Sequence, residues 1–128
     1  MILLDTCALL WLAADQEKLS TRAREAIREH AGELFVSSIS AFEIAIKARR
    51  GKLGLPMESG VWFKKVLDHH GLVEISVDGE IAARAVALPP LHNDPCDRFI
   101  IATALQHRMA VVTGDPFFAQ YEGVRVIW

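Results

Sequence analysis

Short apolar runs alternate with stretches of helical period along the whole chain, and this alternation narrows the fold more than any other feature. Ile2-Leu3-Leu4, Leu34-Phe35-Val36-Ser37, Leu72-Val73-Glu74-Ile75, Met109 to Thr113 and Val124 to Ile127 are the runs. Most are continuously apolar rather than alternating with polar residues, so they read as strands covered on both faces. The segments between them carry helix signals. Cys7 to Ala14 reads as a short helix, and Ser20 starts another that runs to about His30 and closes near Gly32. A third spans Ser40 to about Arg50 and ends at Gly51 and Gly54. Pro56 opens the next, through Trp62, Phe63, Val66 and Leu67 to His70-Gly71. Asp78 caps Glu80 to Ala87, which Pro89-Pro90 ends, and Pro95 begins a helix through Ile100, Ile101, Ala104 and Leu105. Gly114 to Tyr121 turns through a short helix. Strands separated by helices pair in parallel through crossovers. The prediction is an α/β fold: a three-layer α/β/α sandwich around a central, mainly parallel sheet of four to five strands.

The 128 residues predict a single domain, 1–128, and the apolar fraction of 52% supplies a core that needs no covalent staple. A net charge of −2 disfavours simple electrostatic wrapping of duplex DNA. Cys7 and Cys96 are too few for a disulfide framework and read as two free thiols in a reducing cytosol. Met1 to Asp5 has no basic segment and does not read as a signal peptide. No apolar run approaches the roughly 18 residues of a membrane span. The expected location is cytoplasmic.

The acids that follow the strands carry the functional information. Asp5 follows the first strand, Glu43 lies early in the helix after the second, and Asp115 follows the Met109 to Thr113 strand. Ligands of open α/β sheets bind beyond the carboxyl ends of the strands, so these three are expected on one edge. Asp94 and Asp97 flank the start of a helix, and periodicity does not say which edge that start meets. Each acid also has an ordinary explanation. Asp5 and Asp94 can be caps, and Ser40 to Glu43 fits a capping box. Asp97 suits a helix dipole, and Asp115-Pro116 suits a turn. Jointly, four or five converging carboxylates repel, and some must stay protonated unless a counter-charge is present. No Lys or Arg follows Asp5, Glu43 or Asp115 closely enough to be an obvious partner. A divalent cation resolves the repulsion, and oxygen ligands suit Mg²⁺ or Mn²⁺. His30, His69, His70, His92 and His107 are scattered without zinc spacing.

These residues resemble the PIN-domain family. Met1-Ile2-Leu3-Leu4-Asp5-Thr6-Cys7 resembles its opening motif, and Ser38-Ile39-Ser40-Ala41-Phe42-Glu43-Ile44 its second. His92 to Ala104 resembles the third, in the His-x-Asp-Pro-x-Asp-Arg form of one subgroup. Val111-Val112-Thr113-Gly114-Asp115 resembles the fourth. Order and spacing agree from residue 2 to the end. The resemblance implies a PIN-like fold and a metal-dependent endoribonuclease. Small stand-alone bacterial PIN domains are typically VapC toxins of type II toxin–antitoxin modules. It implies an acidic cluster of Asp5, Glu43, Asp97 and Asp115, supported by Thr6 and Thr113. Asp94 is an extra acid that either ligates metal through water or only caps its helix. Asp5 and Asp97 are the expected direct ligands, with Glu43 and Asp115 holding a second ion or orienting the nucleophilic water. No His is expected to act as a general base. The implied partners are RNA, a VapB-like antitoxin segment that blocks the acids, and a second copy in a homodimer.

Lys47, Arg49, Arg50 and Lys52 form the one local basic cluster, either a helix C-terminus favoured by cations or an RNA phosphate track. Arg98 is expected to pair with a carboxylate or with phosphate. Leu9 to Leu12 and Trp62-Phe63 are dense apolar patches, expected mostly in the core, with Trp11 or Trp62 available to a partner. Two other function classes compete: a phosphoryl-transfer enzyme or phospho-acceptor, and a non-catalytic RNA-binding module on the same fold. Cys7 occupies the position where a haloacid dehalogenase pattern needs a second Asp. The acid pair of a receiver domain is missing at positions 4 and 5.

Overall fold

A computed structural model describes residues 1–128. Five strands, β1 (Ile2–Leu4), β2 (Leu34–Ser37), β3 (Leu72–Ile75), β4 (Ala110–Val112) and β5 (Val126–Ile127), form one sheet in the order β3-β2-β1-β4-β5. Every pairing is parallel. The helices are α1 (Thr6–Ala14), α2 (Thr21–Glu29), α3 (Ser38–Arg49), α4 (Ser59–His70), α5 (Gly79–Ala87) and α6 (Pro95–His107).

Strand side chains alternate between faces, and each face has its own helical layer. Ile2, Leu4, Leu34, Val36 and Val112 pack with Leu9 of α1, Ala26 of α2, Ile44 of α3 and Trp62, Phe63 and Leu67 of α4. Leu3 and Val111 pack instead with Ile100, Ile101 and Ala104 of α6, closed by Phe118 and Tyr121. Ile81 and Ala85 join α5 to Ala102 of α6. The three expected layers are present, and each fully buried Leu or Ile contributes about 1.5–3 kcal/mol of apolar burial. No helix is long and apolar enough to cross a membrane.

Several boundaries differ from the sequence reading. Helix α3 starts at Ser38 rather than Ser40, because Ser37 caps it by accepting the Ile39 amide at 3.1 Å. Pro56 lies in a loop, and α4 starts at Ser59, where the Glu58 carboxylate accepts the Gly60 and Val61 amides. Satisfying those open amides sets the helix start more firmly than the fixed φ of a proline does. The stretch after Gly114 forms only a 3₁₀ turn at Phe118–Gln120, and β5 shrinks to two residues. Trp62 and Phe63 are both buried in the core, as expected for most of that patch.

Candidate active site

Strand register brings the first site residues together. Leu4 pairs with Val36 on one side and with Val112 on the other, so Asp5, Ser37 and Thr113 come side by side at the carboxyl edge of the sheet. The chain moves outward from β1 through β2 to β3, then returns to place β4 on the other flank of β1. That reversal opens a crevice at the carboxyl edge between β1 and β4, the usual place for a ligand in such sheets. Asp5 sits there, 5% exposed, and is held by two donors. Its Oδ1 accepts the Ala8 amide at 2.8 Å, capping α1, and its Oδ2 accepts the Thr113 hydroxyl at 2.5 Å. The Thr113 hydroxyl in turn accepts the Asp115 amide at 3.0 Å. Thr6 stands behind this group, its hydroxyl 2.8 Å from that of Ser40.

Helices α6 and α3 supply the remaining acids. Asp94 caps α6 by accepting the Cys96 amide at 2.9 Å, which puts Asp97 in the first turn. Since α3 is capped by Ser37, Glu43 lies in its second turn and has no capping role. The capping-box reading of Ser40 to Glu43 is therefore incorrect. Asp5, Glu43, Asp94, Asp97 and Asp115 all line one cleft of about 390 Å³, together with Cys7, Lys47, Trp11, Gly114 and Trp128. Trp11 and Trp128 form its aromatic wall, with ring centroids 5.6 Å apart. A Cβ on Gly114 would lie 3.0 Å from the Trp128 indole, so a larger residue there would make the ring shift by a few tenths of an ångström.

The carboxylates tax one another. Burial, joined by the charges of Asp115 and Glu43, pushes Asp5 up to about 6 despite the two hydrogen bonds that favour its charged form. Burial and the charges of Asp94, Glu43 and Asp5 push Asp97 up to about 7, although His92 opposes the rise. The nearby thiols respond alike. Burial first, then acidic neighbours, raises Cys7 and takes Cys96 to about 11, so both free thiols stay protonated at neutral pH. Glu43 Oε1 is buried and has no hydrogen-bond partner. A buried carboxylate oxygen left open beside carboxylates that resist ionisation is the chemistry a divalent cation satisfies. The residues fit Mg²⁺ or Mn²⁺.

Three residues stand differently from the sequence reading. His92 is the first. Its Nε2 lies 2.9 Å from Asp97 Oδ2 and 3.1 Å from Asp115 Oδ2, so it bridges two of the acids. Its Nδ1 accepts the Asp94 amide at 3.3 Å, which assigns the ring proton to Nε2. The ring thus donates to Asp97 and Asp115, and the ligand atoms offered to a cation remain oxygens, although the three side chains are close enough to share one. The signal was present in the His-x-Asp-Pro-x-Asp spacing, but His92 lies in a loop, where no periodicity aims a side chain. Lys47 is the second. Its Nζ is 3.7 Å from Glu43 Oε2, so Glu43 does have a cation one helical turn away.

Arg98 is the third, and it does not present its charge to phosphate. Its guanidinium donates to the carbonyls of Ala85, Leu88, Pro89 and His92 and to the Tyr121 hydroxyl, at 2.8–3.3 Å. Tyr121 donates to the Pro89 carbonyl and accepts the His92 amide, both at 2.9 Å. Arg98 and Tyr121 therefore fasten the loop that carries His92. Arg98→Ala is expected to lower stability by about 1–3 kcal/mol in urea denaturation, because four carbonyls, mostly half-buried or exposed, lose a charged donor. Arg98→Lys should not recover it, since an ammonium cannot span that fork of acceptors. A denaturation midpoint equal to wild type in either variant would remove the staple.

A family model of the PIN domain matches residues 2–124. The chain belongs to the PIN-domain family. It is 38% identical over 115 residues to Ribonuclease VapC22 of Mycobacterium tuberculosis, covering 89% of this chain and 86% of that protein. Among solved structures it is similar to VapBC2 from Rickettsia felis bound to a promoter DNA fragment, with a TM-score of 0.71 at 14% identity over 98% of this chain and 97% of that one. It is also similar to a toxin–antitoxin complex from Klebsiella pneumoniae, with a TM-score of 0.68 at 25% identity over 97% and 95%. DNA-bound VapBC from Salmonella typhimurium gives 0.70 at 18% identity over 98% and 95%. The PIN fold expected from the four motifs is thus established.

Proposed function

We propose that this PIN domain is a metal-dependent endoribonuclease and the toxin of a type II toxin–antitoxin module. The carrying observation is the cleft at the β1/β4 crevice, where Asp5, Glu43, Asp97 and Asp115 meet and Glu43 Oε1 lacks a partner, in a chain 38% identical to a protein named Ribonuclease VapC22. Asp5 and Asp97 would hold Mg²⁺ or Mn²⁺ directly, with Glu43 and Asp115 completing the oxygen set. A bound ion supplies water of lowered pKa and neutralises charge on the phosphodiester. The chain's own residues prepare that chemistry. Thr113 fixes the Asp5 carboxylate against the sheet edge, and Ala8 holds its second oxygen. His92 aligns Asp97 with Asp115 by donating to both. Asp94 caps α6 and adds negative charge at the cleft. Lys47 steadies Glu43 until the cluster is filled.

An antitoxin partner follows from the relatives, which were solved as VapBC and toxin–antitoxin complexes. A homodimer and a cytoplasmic location complete the reading. The test is cleavage of single-stranded RNA by purified protein. Cleavage is expected with Mg²⁺ or Mn²⁺, is lost in EDTA and returns when Mn²⁺ is restored. Metal-independent cleavage, or none with either ion, overturns it. Phospho-acceptor chemistry would instead leave a phosphorylated protein, and a non-catalytic RNA binder would retain RNA uncut.

A further inference from the structure

A second groove, of about 320 Å³, adjoins the acidic cleft and shares Glu43 and Lys47 with it. Its walls are Phe42, Ile46, Lys47, Arg50 and Lys52, with Pro95 and Cys96 across from them. The helical period of α3 explains the arrangement. Glu43, Lys47 and Arg50 stand at i, i+4 and i+7, one row on one face. The row runs from the acids outward, with Lys47 about 6 Å and Arg50 about 10 Å along the axis from Glu43. Phe42 and Ile46 form the neighbouring row, and Phe42 is 55% exposed. Lys47 is shared with Glu43, whereas neither Arg50 nor Lys52 has a carboxylate within ion-pair distance. A protein of net charge −2 has therefore set unpaired cations and an exposed aromatic ring in a line that begins at its acidic cleft.

We infer that this groove seats the nucleotide adjoining the cleaved phosphodiester, its base on Phe42 and its flanking phosphates on Lys47, Arg50 and Lys52. The inference rests on the ribonuclease reading and deepens it. Single-stranded nucleic acid is held by a cationic track with aromatic faces for its bases, and both parts are present here. An acidic cleft repels the polyanion it is to cut, so affinity must come from beside it, and charge complementarity selects a phosphate backbone as the occupant. Specificity at this position comes from how well a base stacks on Phe42.

The experiment measures binding of a short fluorescent single-stranded RNA of mixed sequence by anisotropy in EDTA, across a salt series, alongside cleavage in Mn²⁺. Phe42→Ala is expected to weaken binding about tenfold, and Phe42→Trp to keep it. The double variant Arg50→Glu, Lys52→Glu should flatten the salt slope by about 1.4, the value for two lost phosphate contacts on a single strand. A purely structural role would leave that slope alone. Suppose the wild type cleaves RNA but Phe42→Ala binds as tightly and the slope is unchanged. The subsite is then wrong and the ribonuclease reading survives. If the wild type neither binds nor cleaves, both are wrong. If Phe42→Ala converts a dimer to a monomer by light scattering while affinity holds, the groove is a self-association face and the inference is overturned.

Discussion

Asp5→Asn is expected to abolish RNA cleavage and yet to raise the melting temperature of the metal-free protein. Activity and stability should part because the charge that serves the reaction is the charge the fold resists. Asp5 is buried at the β1/β4 crevice, and its carboxyl is pushed from 3.8 to about 6. Holding it ionised at neutral pH costs about 3 kcal/mol, from roughly two pH units at 1.4 kcal/mol each. Asparagine keeps the shape and the oxygen that accepts the Ala8 amide, and its amide group can donate to Thr113. The repulsion from Asp115 and Glu43 disappears. Melting should therefore rise by several degrees at pH 8 without metal. Cleavage should fall by at least about 10²–10³-fold, as for removal of one group that carries charge in a transition state. RNA cleavage near wild type would end the assignment of Asp5 to the reaction. A collapsed circular dichroism spectrum would show instead that Asp5 serves the fold.

Affinity for Mn²⁺ should fall by at least about tenfold between pH 8 and pH 5. At pH 8 both Asp5 and Asp97 are ionised. At pH 5 a carboxyl near 6 is about one-tenth ionised and one near 7 less still, so the site that offers both becomes at least about tenfold rarer. Stability of the metal-free protein moves the opposite way. Both groups titrate higher in the folded chain than in the unfolded one, where their value is near 3.8. Their favourable contribution is complete below about pH 4 and is lost as the pH rises through 6 to 7. Metal restores what ionisation removes, so the Mn²⁺-induced rise in melting temperature should be large at pH 8 and small at pH 5. Calorimetric titration and thermal melts at both pH values check this. An affinity independent of pH would mean that neither carboxylate binds the ion.

Layer order and strand positions were legible because apolar runs and helical period are local properties. Ile2 to Leu4, Leu34 to Ser37 and Leu72 to Ile75 lie where the sequence put them. Helix starts were less legible, since Ser37 and Glu58 won competitions with nearby candidates that depend on where the preceding chain arrives. The acids following β1, β2 and β4 could be sent to one edge from chain order alone. Asp94 and Asp97 could not. Both α5 and α6 fill the crossover between β3 and β4, so the level at which α6 begins depends on how the intervening loop is held. The Arg98 and Tyr121 bonds hold it.

The sequence by itself determined the α/β layering and which carboxylates exist to be gathered, because burial pattern and residue identity need no partner to be read. Tertiary structure alone decided what stands against those carboxylates. His92 came to Asp97 and Asp115 from a loop, while Arg98, expected at a carboxylate or at phosphate, was drawn away to backbone carbonyls. The direction in which a long polar side chain points is set by the nearest unsatisfied partner in space, and sequence distance carries no information about that partner.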